Sequence, residues 1–482
     1  MNKKTFYLLI LPFMLAGCSN NSGNQNENDN NKSYYINEDV NITFLCMADS
    51  RYISKLKVMV DEFMQSEPHV KVNLSNPLGS GDYSTVERNV IAGFFNGSYP
   101  DIVQCYPDNV VKYINRGYAL KLDHYLNNDE YGIFENNQTD YIQAFLDEGS
   151  HYPGIEGSYS LPFCKSTELM YYNKDALIGL ELDGINDGNP LDATYLDNLT
   201  WEELFNNLCP AIKAKNDSLP DNEKLYISSS DSAIFTYDSS ENLFITLANQ
   251  YGYGYTSVDE EGNPSIDFDN PEMKALTKTL KSAKDNGYLH TRGSSGNYVS
   301  YLFQTRKSLF TVSSTAGLKY NLPEHDEFEV GVARIPHAEG KEYSAINQGP
   351  SVCILNHNDD LRALASYLLW RYITNEENST VWATFTGYMG IRASSYQSDE
   401  YKKALIVDEN SSLEEKAVAE NLKKISEVSA YTFNTDVFKG SSNARKNVGE
   451  LLTDCLKYDG VLDDDTINAL FLESSNEVKT HL

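Results

Sequence analysis

Short apolar runs typical of strands alternate, over the first quarter of the chain, with stretches in which apolar residues recur every three or four positions. The runs predict strands, and the wider spacing predicts helices with one buried face. Predicted strands cover 41–46, 70–74 and 102–105, and predicted helices cover 50–67, 83–95 and 110–117. This order predicts a parallel sheet with crossover helices.

In proteins built on a parallel sheet, ligands bind beyond the carboxyl ends of the strands, close to helix N-termini. This rule selects three loops, at 47–50, 76–83 and 106–108. The candidate ligand-facing side chains in them are Asp49, Ser80, Asp82, Tyr83, Tyr106 and Asp108. Each loop also has a purely structural interpretation, because Gly-Ser-Gly-Asp is common turn chemistry and Tyr-Pro-Asp is a common helix start.

The segment 161–175 joins an irregular, hydroxyl-rich stretch to a short apolar run. The run at 169–172 predicts a strand buried on both faces. A bend that leads directly into such a strand suits a crossing between two lobes, so Ser166 and Thr167 are candidates to face a ligand. Phe163 and Trp201, on either side of this strand in the sequence, are further candidates.

The second half of the chain continues the alternation. Strands are predicted at 225–230, 307–312, 330–335 and 351–355, and helices at 200–212, 243–250, 271–286, 361–373 and from 375 onward. Three hydroxyl side chains follow the strand at 307–312, more than one helix cap requires. The candidate ligand-facing residues of this half are Ser313, Ser314, Gln348, Gly349, Tyr388, Arg392, Lys439 and Arg445.

The N-terminal residues have the pattern of an export signal. Two lysines precede an apolar run at 6–15 that is too short to span a bilayer, and small residues lead to Cys18. We expect 1–17 to be a signal peptide that is removed so that Cys18 carries a lipid; an ordinary secretory signal is the alternative. Because 19–33 has no apolar side chain, we expect 18–36 to be a flexible tether.

Composition narrows the classes of partner. The net charge of −30 disfavours nucleic acid and adhesion to anionic lipid. Six further cysteines are scattered without a Cys-x-x-Cys pair, so we expect no metal or cofactor and interpret them as buried apolar residues, with disulfide pairing left open. The Tyr-Gly loop at 251–255 suits sugar stacking, but glycines usually mark turns, so a surface turn is the favoured interpretation. With 34 tyrosines in the chain, no single tyrosine is diagnostic.

Several of these motifs resemble, in the same order, those of family 1 of the extracellular solute-binding proteins, which serve sugar and glycerol-3-phosphate ABC importers. The resemblance covers nearly all of 41–455. It rests on the crossing at 161–175, the Ser-Ser-x-x-Gly turn at 313–317, the Gln-Gly return at 348–349 and the Thr-Gly-Tyr motif at 386–388. The sequence departs from the family at Gly390, where proline is usual.

The resemblance implies an α/β protein with a two-lobed, type II periplasmic-binding-protein-like fold, in which each lobe is a mostly parallel sheet flanked by helices and hinge crossings join the lobes. The expected N-terminal lobe comprises 37–160 and 305–340, and the C-terminal lobe comprises 161–304 and 341–482. The resemblance further implies that a sugar or polyol contacts the Asp-Tyr loop, the Tyr-Pro-Asp loop and Tyr388. Lys439 or Arg445 would supply the basic residue of the glycerol-3-phosphate binders.

The implied function is that of a substrate-binding lipoprotein, held at the extracytoplasmic face of the cell membrane, that delivers a sugar or a polyol, phosphorylated or not, to an ABC permease. A cell-surface hydrolase acting on glycosides or glycerophosphodiesters is the alternative, and an adhesin is a third. We expect no enzymatic activity, because the sequence has no His-Glu-x-x-His, Gly-x-Ser-x-Gly or Walker motif.

Overall fold

The computed structural model of this protein describes residues 35–48, 50–77, 83–136, 138–325 and 327–482. Its strands are β1 (Val40–Leu45), β2 (Val70–Ser75), β3 (Ile102–Cys105), β4 (Leu161–Pro162), β5 (Glu168–Asn173), β6 (Phe235–Tyr237), β7 (Thr256–Val258), β8 (Pro264–Ile266), β9 (Leu289–Thr291), β10 (Phe310–Ser314), β11 (Val330–Ala333), β12 (Ala345–Ile346), β13 (Ser351–Ile354) and β14 (Thr432–Phe433). Cys18, the expected signal peptide and most of the expected tether lie outside the described residues.

The helices in the same residues are α1 (Ser50–Ser66), α2 (Tyr83–Asn96), α3 (Pro107–Ile114), α4 (Asp123–Leu126), α5 (Gln143–Asp147), α6 (Lys174–Leu177), α7 (Ala193–Asp197), α8 (Trp201–Glu203), α9 (Cys209–Ser218), α10 (Ser240–Tyr251), α11 (Pro271–Asp285), α12 (Arg292–Ser295), α13 (Val299–Gln304), α14 (Leu318–Asn321), α15 (Asp360–Ile373), α16 (Glu376–Thr386), α17 (Asp399–Ala404), α18 (Leu413–Val428), α19 (Ser441–Lys457) and α20 (Asp464–Lys479). None of them is long and apolar enough to cross a membrane.

Two five-stranded sheets form the two lobes. The first has the order β2-β1-β3-β13-β4, in which β13 alone runs against its neighbours. The second has the order β11-β5-β10-β6-β9, in which β5 alone is reversed. Four strands of each sheet share one direction, so the predicted two-lobed α/β fold with mostly parallel sheets is confirmed.

Two neighbouring stretches of chain cross between the lobes. One leads from β4 in the first sheet to β5 in the second, and the other leads back from β12 to β13. The crossings are tied to each other, because Ser166 and Gln348 exchange backbone hydrogen bonds of 2.8 Å in both directions. In each sheet, the one reversed strand, β5 or β13, is the strand that follows a crossing.

The hydrophobic spacing predicts these helices because it decides which face each one buries. In α1 the buried side chains are Tyr52, Leu56, Met59, Val60 and Phe63, the same positions that recur every three or four residues. Helix α15 packs beside α1 over the first sheet, while α10 and α19 pack together over the second. Each sheet is thus covered by apolar helix faces.

The structure corrects two expectations about the chain's layout. The stretch 225–230 is not a strand; the strand comes a few residues later, as β6, where Phe235 to Tyr237 are completely buried. The strands in 305–340, β10 and β11, lie in the second sheet, whereas β13, from the range assigned to the C-terminal lobe, lies in the first. Short apolar strands carry no signal of which sheet they join, and this explains the difference.

The six cysteines in the described residues are buried and free, as the interpretation as apolar residues predicts. Burial raises the pKa of all six thiols, to about 12 for Cys46 and Cys455. These side chains therefore remain protonated at neutral pH and behave as small apolar groups.

Candidate functional site

A cavity of about 770 Å³ lies between the two lobes, beside the crossings. Strand ends and helix starts of both sheets surround it, as expected for a ligand site in an α/β fold. Its lining residues are Met47, Ala48, Tyr52, Tyr83, Gln104, Tyr106, Phe163, Cys164, Ser166, Asp238, Arg292, Tyr298, Ser300, Tyr301, Ser313, Ser314, Ala316, Gly317, Tyr320, Asn321, Gln348, Trp382 and Tyr388.

The N-terminal wall is an ordered group of polar and aromatic side chains. Gln104, at the end of β3, accepts a hydrogen bond from the backbone N–H of Met47 at 2.8 Å and donates one to the Tyr83 hydroxyl at 2.9 Å. The Tyr83 and Tyr106 rings meet edge to face, with centroids 4.7 Å apart. Burial raises the pKa of Tyr106 to about 12, so its hydroxyl is neutral and can both donate and accept.

An apolar surface adjoins this wall, formed by Phe163 after β4 and by Trp382 and Tyr388 in and after α16. The Phe163 and Trp382 rings are 5.6 Å apart, and Tyr52 meets Trp382 edge to face at 6.2 Å. The Tyr388 position is held by the backbone, since Met389 donates a hydrogen bond of 2.6 Å to the Lys165 carbonyl in the first crossing. This surface offers flat aromatic faces beside hydrogen-bonding groups.

The crossings supply Ser166 and Gln348, and a buried polar network supports Gln348 from behind. Asn242 donates to the Gln348 side chain at 3.2 Å and to the Glu168 carboxylate at 2.7 Å, and Tyr237 also donates to Glu168. Burial raises the pKa of Glu168 to about 7, although these two donors and Arg445 favour its ionised form. Arg445 donates to the Asn242 amide oxygen, so its guanidinium lies one side chain behind the cavity.

The C-terminal wall combines hydroxyl groups, one acid, one base and exposed aromatic rings. Ser313 and Ser314 end β10, and Asp238 follows β6. Arg292 begins α12, and its guanidinium carbon lies 4.2 Å from the centre of the Tyr298 ring. Burial raises the pKa of Asp238, and the nearby Arg292 opposes that rise.

The lobes also touch each other on two sides of the cavity. Asp108, at the start of α3, accepts a hydrogen bond of 2.6 Å from Ser441, at the start of α19, and Lys112 donates to Ser442 at 2.9 Å. On another side, Arg51 of α1 lies over the Tyr320 ring of α14, with its guanidinium carbon 4.3 Å from the ring centre. The two lobes are therefore in contact around the cavity.

The structure brings many of the predicted site residues together. Those that line the cavity are Tyr83, Tyr106, Phe163, Ser166, Ser313, Ser314, Gln348 and Tyr388. Asp108 and Arg445 lie next to it, in the lobe contact and in the buried network. Asp49, Ser80 and Asp82 lie outside the described residues.

Thr167 and Gly349 belong to the hinge rather than to the cavity lining. Thr167 is fully buried and donates to the Ile346 carbonyl at 2.9 Å, which joins one crossing to the other. Gly349 has φ +97°, and a Cβ built there would lie 2.3 Å from the Cys164 carbonyl oxygen. These two positions shape the crossings through backbone contacts.

Three predicted residues are placed elsewhere, which corrects their expected position at the cleft. Trp201 is buried in the C-terminal core, where its indole N–H donates to Gln250 at 2.8 Å. Arg392 donates to the Thr374 carbonyl and covers the Tyr141 ring at 4.0 Å. Lys439 donates to the Leu482 carbonyl. Position in the sequence next to a motif does not tell which way a side chain points.

Other lining residues were missed by reasoning from the sequence. Gln104 carries a detectable signal, because it is a polar residue at the end of an otherwise apolar strand. Asp238 and Arg292 follow β6 and β9, strands that the hydrophobic pattern does not predict, so the strand-end rule is not applied to them. A tyrosine such as Tyr298 has no distinguishing local signal in so tyrosine-rich a chain.

A second large groove, of about 990 Å³, lies on the outer side of the C-terminal lobe, between α11 and the loop before α20. Its lysines pair with acids of the same surface, as Lys278 does with Asp464 and Lys281 with Asp285. The inter-lobe cavity, with strand ends from two sheets and a hinge beside it, is the candidate functional site.

The sequence profile of a bacterial extracellular solute-binding protein family matches residues 58–407, which is most of the chain. This chain belongs to that family. Extracellular solute binding is accordingly its role, and the match favours binding over the hydrolase alternative. In the cavity between the lobes of this solute-binding protein, a solute would contact both walls.

Relatives and structures with known ligands are similar over most of this solute-binding protein. The sn-glycerol-3-phosphate-binding periplasmic protein UgpB of Yersinia pestis is 23% identical over 359 residues, 70% of this chain and 71% of the relative. UgpB of Mycobacterium tuberculosis, solved with glycerophosphocholine, has a TM-score of 0.67 at 18% identity, covering 92% and 98%. The substrate-binding protein Lmo0181 of Listeria monocytogenes, solved with cycloalternan, has 0.68 at 15% identity, covering 92% and 99%.

Proposed function

We propose that this protein is the substrate-binding lipoprotein of an ABC importer and that it captures a sugar or polyol in the cavity between its lobes. The observation that supports this most strongly is the pairing of aromatic faces with hydrogen-bonding groups on both walls of one cavity, beside two hinge crossings. A polyhydroxy solute loses its hydrogen bonds to water on burial, and Gln104, Ser166, Ser314 and Gln348 are placed to replace them.

Closure of the two lobes would shield the solute and present a distinct shape to the permease subunits. The hinge is suited to this motion, because the two crossings lie side by side and are hydrogen-bonded to each other where they pass between the sheets. The lobe contacts at Asp108–Ser441 and Arg51–Tyr320 would form on closure and separate on opening. Solute affinity therefore depends on the free energy of lobe closure as well as on direct contacts.

A phosphorylated polyol, such as a glycerol phosphate or a glycerophosphodiester, is the second candidate ligand. The names of the UgpB relatives favour it, and so does Arg445, whose guanidinium lies one amide behind Gln348. In a chain with a net charge of −30, a phosphate needs such a local cation. Arg445→Ala should lower affinity for phosphorylated ligands selectively if phosphate is recognised. Lys439→Ala is the matched control, since Lys439 donates to the Leu482 carbonyl instead.

The lipid on Cys18 and the partnership with a permease complete the proposal. Anchoring rests on the signal-like residues before Cys18 and on the polar residues after it. Mass spectrometry of the protein from its native membrane tests the anchor: the N-terminal peptide should begin at an acylated Cys18. A peptide that begins elsewhere, without acyl mass, would show an ordinary secretory signal.

Isothermal titration calorimetry tests the ligand. The solute panel consists of glucose, maltose, galactose, lactose, xylose, xylobiose, glycerol 3-phosphate and glycerophosphocholine. The proposal predicts saturable binding of at least one member and weaker binding by Gln348→Ala. Asn189→Ala, in an exposed loop of the C-terminal lobe, is the control and should bind as the unaltered protein does. Heat changes no larger than dilution for the whole panel would overturn the proposal.

A further inference from the structure

Three exposed tyrosines stand on the C-terminal wall of the cavity. Tyr298, Tyr301 and Tyr320 have exposed fractions of 61%, 49% and 44%, which puts them among the exposed large apolar side chains of the described residues. The N-terminal wall differs, since Tyr83 and Tyr106 pack against each other. Exposed aromatic side chains gathered at one cavity indicate a surface that a ligand covers.

An acid and a base stand beside these rings. The Asp238 carboxylate accepts no hydrogen bond from any described residue, while it lines the cavity close to the charge of Arg292. Arg292 rests on the Tyr298 ring and so is held over the wall. A partly buried carboxylate without a donor is costly, and neighbouring hydroxyl groups of a ligand would satisfy it.

The cavity is also larger than a small polyol requires. Counting about 30 Å³ for each water-sized group, its volume of about 770 Å³ has room for roughly 25 such groups, whereas glycerol 3-phosphate has about ten non-hydrogen atoms. The N-terminal wall and the crossings can surround a ligand of that smaller size. The C-terminal wall then remains available to a second part of a larger ligand.

We propose that Asp238, Arg292, Tyr298 and Tyr301 form a sugar-binding subsite, so that the ligand is a glycoside of at least two rings rather than a monosaccharide or a glycerol phosphate. This inference rests on the proposed function, because it divides the same cavity into two subsites. Asp238 accepts hydrogen bonds from adjacent hydroxyls of one ring, and Arg292 donates to its oxygens. The tyrosine rings pack against its apolar C–H face.

Calorimetry on Asp238→Asn and Tyr298→Ala tests the subsite. The sugars compared are the three pairs of the panel: glucose with maltose, galactose with lactose, and xylose with xylobiose. The unaltered protein should bind one disaccharide at least tenfold tighter than its monosaccharide. Each substitution should lower disaccharide affinity by about tenfold or more and change monosaccharide affinity by less than about threefold. Asp221→Asn and Tyr458→Ala, on the surface of the same lobe, are controls that should leave both affinities unchanged.

The outcomes separate this inference from the proposed function. Disaccharide binding that is unchanged in both variants, with unfolding temperatures equal to that of the unaltered protein, would overturn the subsite alone. So would binding of glycerol 3-phosphate or glycerophosphocholine with no sugar bound, or an equal loss of monosaccharide and disaccharide affinity. No binding of any panel member by the unaltered protein would overturn both proposals.

Discussion

Lys165 is the most deeply buried charge at the hinge, with no exposed surface. Its ammonium group pairs with the Glu148 carboxylate and donates to the Gly349 carbonyl at 3.2 Å and to Ser351 at 3.1 Å. These contacts join the first crossing to the second and to the N-terminal lobe. A buried pair of this kind is costly to break, because the remaining charge has no partner.

We therefore expect Lys165→Met to lower the free energy of unfolding by about 3–5 kcal/mol in urea denaturation. Adding Glu148→Gln should recover part of that loss, since no unpaired charge remains. Lys57→Met is the control: Lys57 is 65% exposed in its pair with Asp61 and should cost no more than about 0.5 kcal/mol. Equal losses for Lys165→Met and the control would show that the buried pair contributes nothing.

Glu168 makes stability depend on pH. Burial raises its pKa from 4.5 to about 7 in the folded protein, so the folded state binds a proton that the unfolded state has released between these values. Stability from this group is present below pH 4.5 and is lost as pH rises towards 7. Relative to Glu168→Gln, the unaltered protein should lose up to about 3 kcal/mol over that range. Parallel pH profiles of the two proteins in urea denaturation would contradict this.

The sequence predicts that a single side chain faces the cavity when a local rule says which way that side chain points. The strand-end rule leads to Tyr83 and Tyr106, and the crossing leads to Ser166. It does not reach Asp238 or Arg292, since their strands are three residues long and are completed by neighbours distant in the chain. Trp201 shows the opposite error, because an aromatic residue near a motif is most often part of the core.

At the scale of elements, the second crossing depends on one glycine. Gly349 has a left-handed backbone, and a side chain there would collide with the backbone of the first crossing. We expect Gly349→Ala to lower the free energy of unfolding by more than about 2 kcal/mol. Gly179→Ala is the control, because its φ is +84° with nothing within 4 Å, and it should cost about 1 kcal/mol. Similar costs in urea denaturation would mean that the crossing relaxes around the new methyl group.

Helix α19 begins at the contact between the lobes. Its N-cap is Gly440, which has no side chain, and the hydroxyl of the next residue, Ser441, donates to the carboxylate of Asp108 in the N-terminal lobe. An acid at a helix N-terminus also interacts favourably with the helix dipole. The lobe contact thus stabilises a helix as well as a closed cavity.

Asp108→Ala should consequently favour the open form, with a larger radius of gyration in X-ray scattering without ligand and solute affinity lowered by about three- to tenfold. Asp464→Ala is the control, since Asp464 also begins a helix but pairs within its own lobe, with Lys278. If both variants scatter as the unaltered protein does, the Asp108 contact does not hold the lobes together.

Long periodic elements are predicted well from the sequence, and short ones are not. Helices such as α1 and α11 bury one face, α15 is apolar and buried over most of its length, and both patterns are visible without the structure. The membership of β10, β11 and β13 is set by pairing with strands far away in the chain, so their assignment to lobes is not readable locally. The crossings are intermediate, since their residues are predictable and their mutual pairing is not.

At the scale of the whole molecule, the proposed solute capture requires two lobes that move about paired crossings and close on a solute. Fluorescence energy transfer tests this most directly, with dyes on Lys57→Cys in α1 and Ala214→Cys in α9, one exposed position in each lobe. The native cysteines in the described residues are buried with raised thiol pKa values, so the introduced cysteines react first. We predict a saturable change in transfer efficiency as a panel sugar or glycerophosphodiester is added. A transfer efficiency that stays constant across the whole solute panel would contradict the account.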